Sequence, residues 1–263
     1  MLKKEIEIIH EGDDFLVVNK PAGISVTADR TGEEDIITVL SRQLEGPSAL
    51  RLVHRLDKFV SGVMILAKNR SMQSELSSYF AKRLVKKQYL ALVSGYVSSS
   101  EGVIDVPIGR SRRDVRMMCV DKRGGKDAVT RWRLLADFGG IVFLLVEPVT
   151  GRTHQIRVHL AYEQMPLAID PLYSSSKALM LSDFKVNYRS RRDRPETSLI
   201  DRLTLHAYEL KVPLGTELVS YRAKPDKKFA AAIKMLAKHG PMSEKAFLEN
   251  GLLEAILAGQ ELQ

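Results

Sequence analysis

Five apolar residues in a row, Val63-Met64-Ile65-Leu66-Ala67, follow Ser61-Gly62 without an intervening charge. A run this short, apolar on both alternating faces, reads as a strand covered on both sides, which requires a sheet flanked by other layers. Just before it stands RLVHRLDKFV, in which the lone carboxylate of Asp57 sits among His54, Arg55 and Lys58. Two readings of Asp57 are open. Asp and Ser-Gly are ordinary loop residues, so the stretch can be a turn. Alternatively, a carboxylate is held at the mouth of a rigid strand for chemistry.

The rest of the chain supplies the sheet and its cover. Ile6–Ile9 and Phe15–Val18 read as short strands around the turn Glu11-Gly12-Asp13-Asp14. Ile36–Leu44 reads as an amphipathic helix stopped by Gly46-Pro47, and Ser71–Lys82 as a second helix with Met72, Leu76, Tyr79 and Phe80 toward one side. Gln88–Val93, Val103–Ile108, Val129–Leu135, Ile141–Val146, Leu203–Leu210 and Val219–Ala223 read as strands. After Lys224-Pro225 the texture changes to two helical patterns, Lys227–Lys238 and Glu244–Ala258, broken at Gly240-Pro241. The expectation is an α+β fold: a sheet core with flanking helices over residues 1–223 and a small helical extension over 224–263.

Composition narrows the class. Hydrophobic residues make up 44% of the 263, enough for a core, and no run reaches the ~18 apolar residues of a membrane span. MLKKEIEIIHEGDD lacks the apolar segment of a signal peptide, and the single cysteine, Cys119, forms no internal disulfide; both suit a cytoplasmic protein. The net charge of +8 suits a polyanionic partner. Its distribution is more telling than its sum. Arg110–Arg133 holds nine basic and three acidic residues, Lys185–Arg194 five and one, and Lys82, Arg83, Lys86 and Lys87 form a third group. Any one of these suits a solvated face; three in one chain favour a phosphate-tracking surface.

A second dense cluster of polar chemistry is TGRTHQIRVHL, Thr150–Leu160, which starts in a Gly turn and continues with helix-compatible spacing. His154 and His159 lie five apart, on different sides of a helix, and no CxxC or HExxH accompanies them, so a metal is not expected. Ionic pairing is a better use. A carboxylate beside a hydrophobic strand needs a cation, and the planar fork of arginine meets both its oxygens. Asp57 and one arginine of this cluster are candidates for such a pair; the alternative is two unrelated surface loops.

On these residues the chain resembles the RluA-type pseudouridine synthases. VVNKPAGISV (Val17–Val26), HRLDKFVSGVMILAKN (His54–Asn69), KKQYLALVSG (Lys86–Gly95) and TGRTHQIRVHL resemble the family's motifs, with a weaker likeness at LTLHAYEL (Leu203–Leu210), over roughly residues 6–223. The resemblance implies a mixed, largely antiparallel sheet core. It further implies an isomerase that converts specific uridines of ribosomal or transfer RNA to pseudouridine without metal or cofactor. Asp57 is then the catalytic aspartate, Tyr89 the active-site tyrosine and Arg157 the arginine paired with Asp57. Arg55, His54, Arg152, His154, Lys20, Arg112 and Arg113 are the candidate RNA contacts. The expected partner is RNA, without a membrane, and the expected state is a monomer.

Departures are few. Val60 stands where a threonine usually precedes Ser-Gly, Gln164 replaces a glycine, and Ala168-Ile169 stand where Gly-Asp is common, while Asp170 and Tyr173 are present. The S4-type RNA-binding domain found at the N-terminus of some members is not expected, because the first strand begins near Ile6. Two rivals are an RNA-binding protein without turnover and an aspartate-dependent hydrolase, for which Asp170 is the candidate second acid.

Overall fold

The computed structural model of the protein describes residues 5–27, 32–44, 49–185, 187–189, 195–240, 247 and 251–262. In chain order the elements are β1 (Glu7–Glu11), β2 (Phe15–Lys20), α1 (Ile36–Gln43), β3 (Arg51–Leu52), β4 (Ser61–Ala67), α2 (Arg70–Ala81), β5 (Lys86–Ser94), β6 (Glu101–Asp105), β7 (Ile108–Arg110), β8 (Met118–Val120), β9 (Val129–Asp137), β10 (Ile141–Pro148), α3 (Gln155–Tyr162), a 3₁₀ turn (Leu181–Asp183), β11 (Leu205–Leu214), β12 (Glu217–Arg222), α4 (Lys227–His239) and α5 (Leu252–Ala258). They fall into two compact units, Met1–Gln88 with His206–Lys224, and Tyr89–Leu205 with Pro225–Gln263.

The first unit is built around β4, whose seven residues are all buried, as its unbroken apolar run requires. β2 lies antiparallel to it from Phe15↔Ala67 to Lys20↔Gly62, and β3 pairs with its far end. β11 runs parallel to it through His206↔Ser61 and Ala207↔Gly62. Gly62 has φ +120°, and a Cβ there would lie 2.0 Å from the Ala207 carbonyl oxygen, so conformation and close approach both demand glycine. The Ser61 Oγ lies 2.9 Å from His206 Nδ1, and His206 Nε2 lies 2.9 Å from the Ala223 carbonyl. A carbonyl only accepts, so Nε2 carries the proton and Nδ1 accepts from Ser61. The Asn69 side chain caps α2 by accepting from the Met72 amide at 2.9 Å.

The second unit carries an antiparallel run in the order β5-β10-β9-β6. β7 and β8 form a separate two-stranded ribbon, with Arg110 opposite Met118. Its Ile108 packs with Ala128 and with Val158 of α3 in a small apolar cluster joined by Met118, Val120 and Tyr173. Phe247 meets Phe138 and Phe143 edge-on at 5.8 and 5.9 Å. Phe247 therefore packs against this unit.

The fold is α+β with a mixed, largely antiparallel sheet, as expected. Val103–Ile108, expected as one strand, is two: Pro107 has no N–H for the ladder, and Ile108 turns its own N–H and C=O to Lys126 at 3.0 and 2.9 Å. Residues 186 and 190–194 of the basic run Lys185–Arg194, the stop at 46–47, and 244–246 and 248–250 of the expected last helix lie outside the described residues.

Candidate active site

Asp57 lies in the loop between β3 and β4, half-buried, its carbonyl accepting from the Val60 amide at 3.1 Å. The loop is pinned from two sides. Lys20, at the end of β2, is fully buried, and its Nζ donates to the carbonyls of Ile24 (2.8 Å), Lys58 (3.0 Å) and Pro21 (3.1 Å). An ammonium has three N–H donors, and each of these carbonyls takes one. The Gly23 amide adds a bond to the same Lys58 carbonyl at 2.8 Å. Lys20 thus ties the Pro21–Ile24 loop to the residue after Asp57.

His54 is also turned inward. Its Nε2 accepts from the Ile65 amide of β4 at 3.1 Å, and its ring stacks on Phe80 of α2 with centroids 4.6 Å apart. Burial first, and the Lys87 ammonium second, pull its pKa down to about 3, so the imidazole is neutral at pH 7. Lys87 is itself drawn down to about 8 by burial and by Arg83. Arg55 is exposed, between these two anchors.

In the second unit, the turn that opens Thr150–Leu160 gives way to α3 at Gln155. His154 takes a left-handed conformation (φ 54°), and the Gln155 carboxamide organises the preceding turn. Its Oε1 accepts from Thr150 Oγ1 (2.7 Å) and the Arg152 amide (2.9 Å), and its Nε2 donates to the Val129 carbonyl (2.9 Å) and Thr130 Oγ1 (3.0 Å). Beyond Thr130 lies buried His159, with Nδ1 2.8 Å from Thr130 Oγ1 and Nε2 3.0 Å from the Val106 carbonyl. Nε2 must donate to that carbonyl, so Nδ1 accepts from the threonine hydroxyl. Burial lowers the His159 pKa and favours this neutral tautomer. His159 is thus a core histidine.

Arg157 projects from α3 into a buried fork with Asp170: Nε reaches Oδ2 and Nη2 reaches Oδ1, both at 2.8 Å. Asp170 Oδ1 also accepts from the amides of Leu172 (2.9 Å) and Tyr173 (3.2 Å). The carboxylate is committed on both oxygens, which removes it as the second acid of a hydrolase. Sequence reasoning named Asp170 only in that rival role. The DPLY spacing, which returns two amides to the aspartate as an Asx turn, is the signal that would have revealed its structural role.

Tyr89 is half-buried on β5, opposite Val146 of β10. Arg152 donates from Nε to the Asp127 carbonyl at 3.0 Å, and His154 Nδ1 lies 3.0 Å from the Tyr173 hydroxyl. Arg112 and Arg113 stand exposed at the tip of the β7–β8 ribbon, with Arg110, Arg116, Lys122, Arg123, Lys126, Arg131 and Arg133 exposed around and behind it. Arg116 is engaged by Asp114, whose carboxyl it holds near 2 through hydrogen bonds. Among the described residues no group of three or more His, Cys, Asp or Glu side chains could hold a metal ion, and no helix is long and apolar enough to cross a membrane.

Comparison with known proteins converges on one family. Residues 14–162 match the RNA pseudouridylate synthase family. An uncharacterized RNA pseudouridine synthase of Bacillus subtilis is 37% identical over 66% of this chain, which spans 60% of that relative's length. Ribosomal large subunit pseudouridine synthase D of Vibrio cholerae is 36% identical over 84% of this chain and 68% of its own. Among solved structures, human RNA pseudouridylate synthase domain containing 4 superposes with a TM-score of 0.68 at 28% identity, covering 88% of this chain and 92% of that one. The matched region holds the Asp57 loop, Tyr89 and α3, and the chain belongs to the RluA-type RNA pseudouridine synthases.

Proposed function

We propose that the protein isomerises specific uridines to pseudouridine in structured RNA, with Asp57 as the catalytic aspartate, Tyr89 against the uracil and Arg157 orienting Asp57. The observation that carries this reading is the family match across residues 14–162, which includes HRLD followed by Ser-Gly and GRTHQIRVHL in the family's order. The N1–C1′ bond of the uridine breaks, C1′ rejoins uracil at C5, the C5 proton leaves and N1 gains one. All atoms of the substrate stay in the product but for exchanged protons. No water has to be activated, so one carboxylate does what a glycosidase divides between two.

The target base has to leave its stack, at a cost of about a few kcal/mol. Exposed Arg55, Arg112 and Arg113, with Arg152 and His154, offset that through phosphate contacts. Relatives named for the ribosomal large subunit favour ribosomal over transfer RNA as the substrate. The protein works as a cytoplasmic monomer, with residues 1–223 forming the catalytic domain and 224–263 a helical extension.

The test is release of tritium from C5-labelled uridine in RNA of cells that lack the protein. Wild type releases tritium, and Asp57→Asn is slower by at least about 10³-fold, the scale of losing a reacting group. Release equal to wild type by Asp57→Asn would remove Asp57 from the chemistry. Deuterium at C2′ then separates the two routes open to the aspartate: a primary isotope effect follows proton removal there, and none follows attack at C1′.

A further inference from the structure

Tyr173 touches four groups in different parts of the second unit, one of them His154, whose Nδ1 lies 3.0 Å from its hydroxyl. Its ring lies under the Arg157 guanidinium, 5.0 Å from centroid to Cζ. Its amide donates to Asp170, the carboxylate that fixes Arg157. Its hydroxyl accepts from the Met118 amide at 2.8 Å and lies 3.2 Å from the Met118 carbonyl, so it grips both backbone groups of one residue of β8.

From Met118 the contacts run straight to the ribbon tip. Met118 is the register partner of Arg110, and the neighbouring Met117 carbonyl accepts from the Ser111 amide at 3.0 Å. Ser111 Oγ in turn accepts from the amides of Arg113 and Asp114 at 3.2 and 3.3 Å, ordering the turn that presents Arg112 and Arg113 to solvent. One side chain thus connects the exposed cationic tip to the buried guanidinium through hydrogen bonds and a cation–π contact, all inside one unit.

We propose that Tyr173 is a positioning residue that couples RNA contact at the β7–β8 tip to the placement of Arg157. Phosphates pulling on Arg112 and Arg113 bear on Met118, and the phenol passes that load to the ring beneath Arg157 and to the Asp170 turn. The two halves of the side chain act separably: the hydroxyl holds the ribbon and His154, the ring holds the arginine. This coupling rests on the synthase reading for its meaning, while the link between tip and phenol is a property of the unit itself.

The experiment is a double-mutant cycle on the full chain. Tyr173→Phe keeps the ring and loses the hydroxyl; Arg112→Ala with Arg113→Ala removes the tip charges. Tyr173→Phe is expected to raise KM for RNA about three- to tenfold, the scale of one buried amide left unpaired, and to move kcat less. Hydrogen exchange at the Met118 amide rises in the same variant. Tyr173→Leu, which also removes the ring, lowers kcat further. Combined with the tip substitutions, Tyr173→Phe adds less than its own factor, because the tip is already silent. Factors that multiply in full would overturn the coupling, as would kcat and KM falling together in proportion to lost thermal stability. Should the wild type release no tritium from any RNA, the synthase reading fails, and the same cycle, run on the dissociation constant for the RNA used, still decides the coupling.

Discussion

His54 and Lys20 carry the clearest residue-scale lesson. Lys20 ends β2 and His54 belongs to the Asp57 loop, and a sequence offers both naturally as RNA contacts. The groups that claim them are backbone ones, an amide on β4 and three carbonyls, one of which lies 38 residues away from Lys20. Backbone groups that converge only in the fold leave no mark in a sequence. Half-buried His54 also makes a titration test. Its pKa is about 6.5 unfolded and about 3 folded, so the unfolded chain binds a proton that the folded one refuses. The stability it confers is complete above pH 6.5 and is lost as pH falls toward 3, with a slope of at most about 1.4 kcal/mol per pH unit. Urea unfolding from pH 7 to pH 4 should therefore fall less steeply for His54→Gln than for wild type. Parallel curves would mean that the ring is already charged in the fold.

At the scale of elements, legibility followed length and periodicity. The buried strand β4, the hairpin β1–β2 and the helices α1, α2 and α4 all lie within a residue or two of where the apolar patterns placed them. The two-residue β3 and the three-residue β8 escaped, because segments that short carry no period, and β8 sits inside a run that reads as pure charge. The turn before α3 was legible in TGRTHQIRVHL, whereas the Gln155 side chain that shapes it was not. Gly62 sets the most demanding contact between elements. Gly62→Ala forces a methyl group into the Ala207 backbone at a φ that alanine avoids, and should cost about 4 kcal/mol or more. A loss below about 1 kcal/mol in chemical denaturation would show that β4 and β11 separate without penalty.

For the molecule as a whole, charge and family were legible early, and the division of labour inside the chain was not. The change of texture after Lys224 marks where the chain turns helical, and Pro225–Gln263 group with Tyr89–Leu205, with Phe247 set between Phe138 and Phe143. Compositional breaks register where a chain turns helical, not which surface it then covers. The net charge of +8 leads to a prediction at this scale. RNA affinity should fall linearly with salt on logarithmic axes, and removing Arg112 and Arg113 should flatten the slope by about 1 per arginine. An unchanged slope would place the phosphates elsewhere on the surface.

The parallel pairing of β4 with β11 has a bearing on biosynthesis. Ser61 and its partner His206 are 145 residues apart, and the whole Tyr89–Leu205 segment is made between them. At roughly 5–20 residues per second, the strand behind Asp57 waits on the order of ten seconds for its neighbour to emerge. A ribosome that stalls before residue 206 leaves β4, the strand that follows the Asp57 loop, without that neighbour, and the nascent chain has β4 to shield until β11 is made.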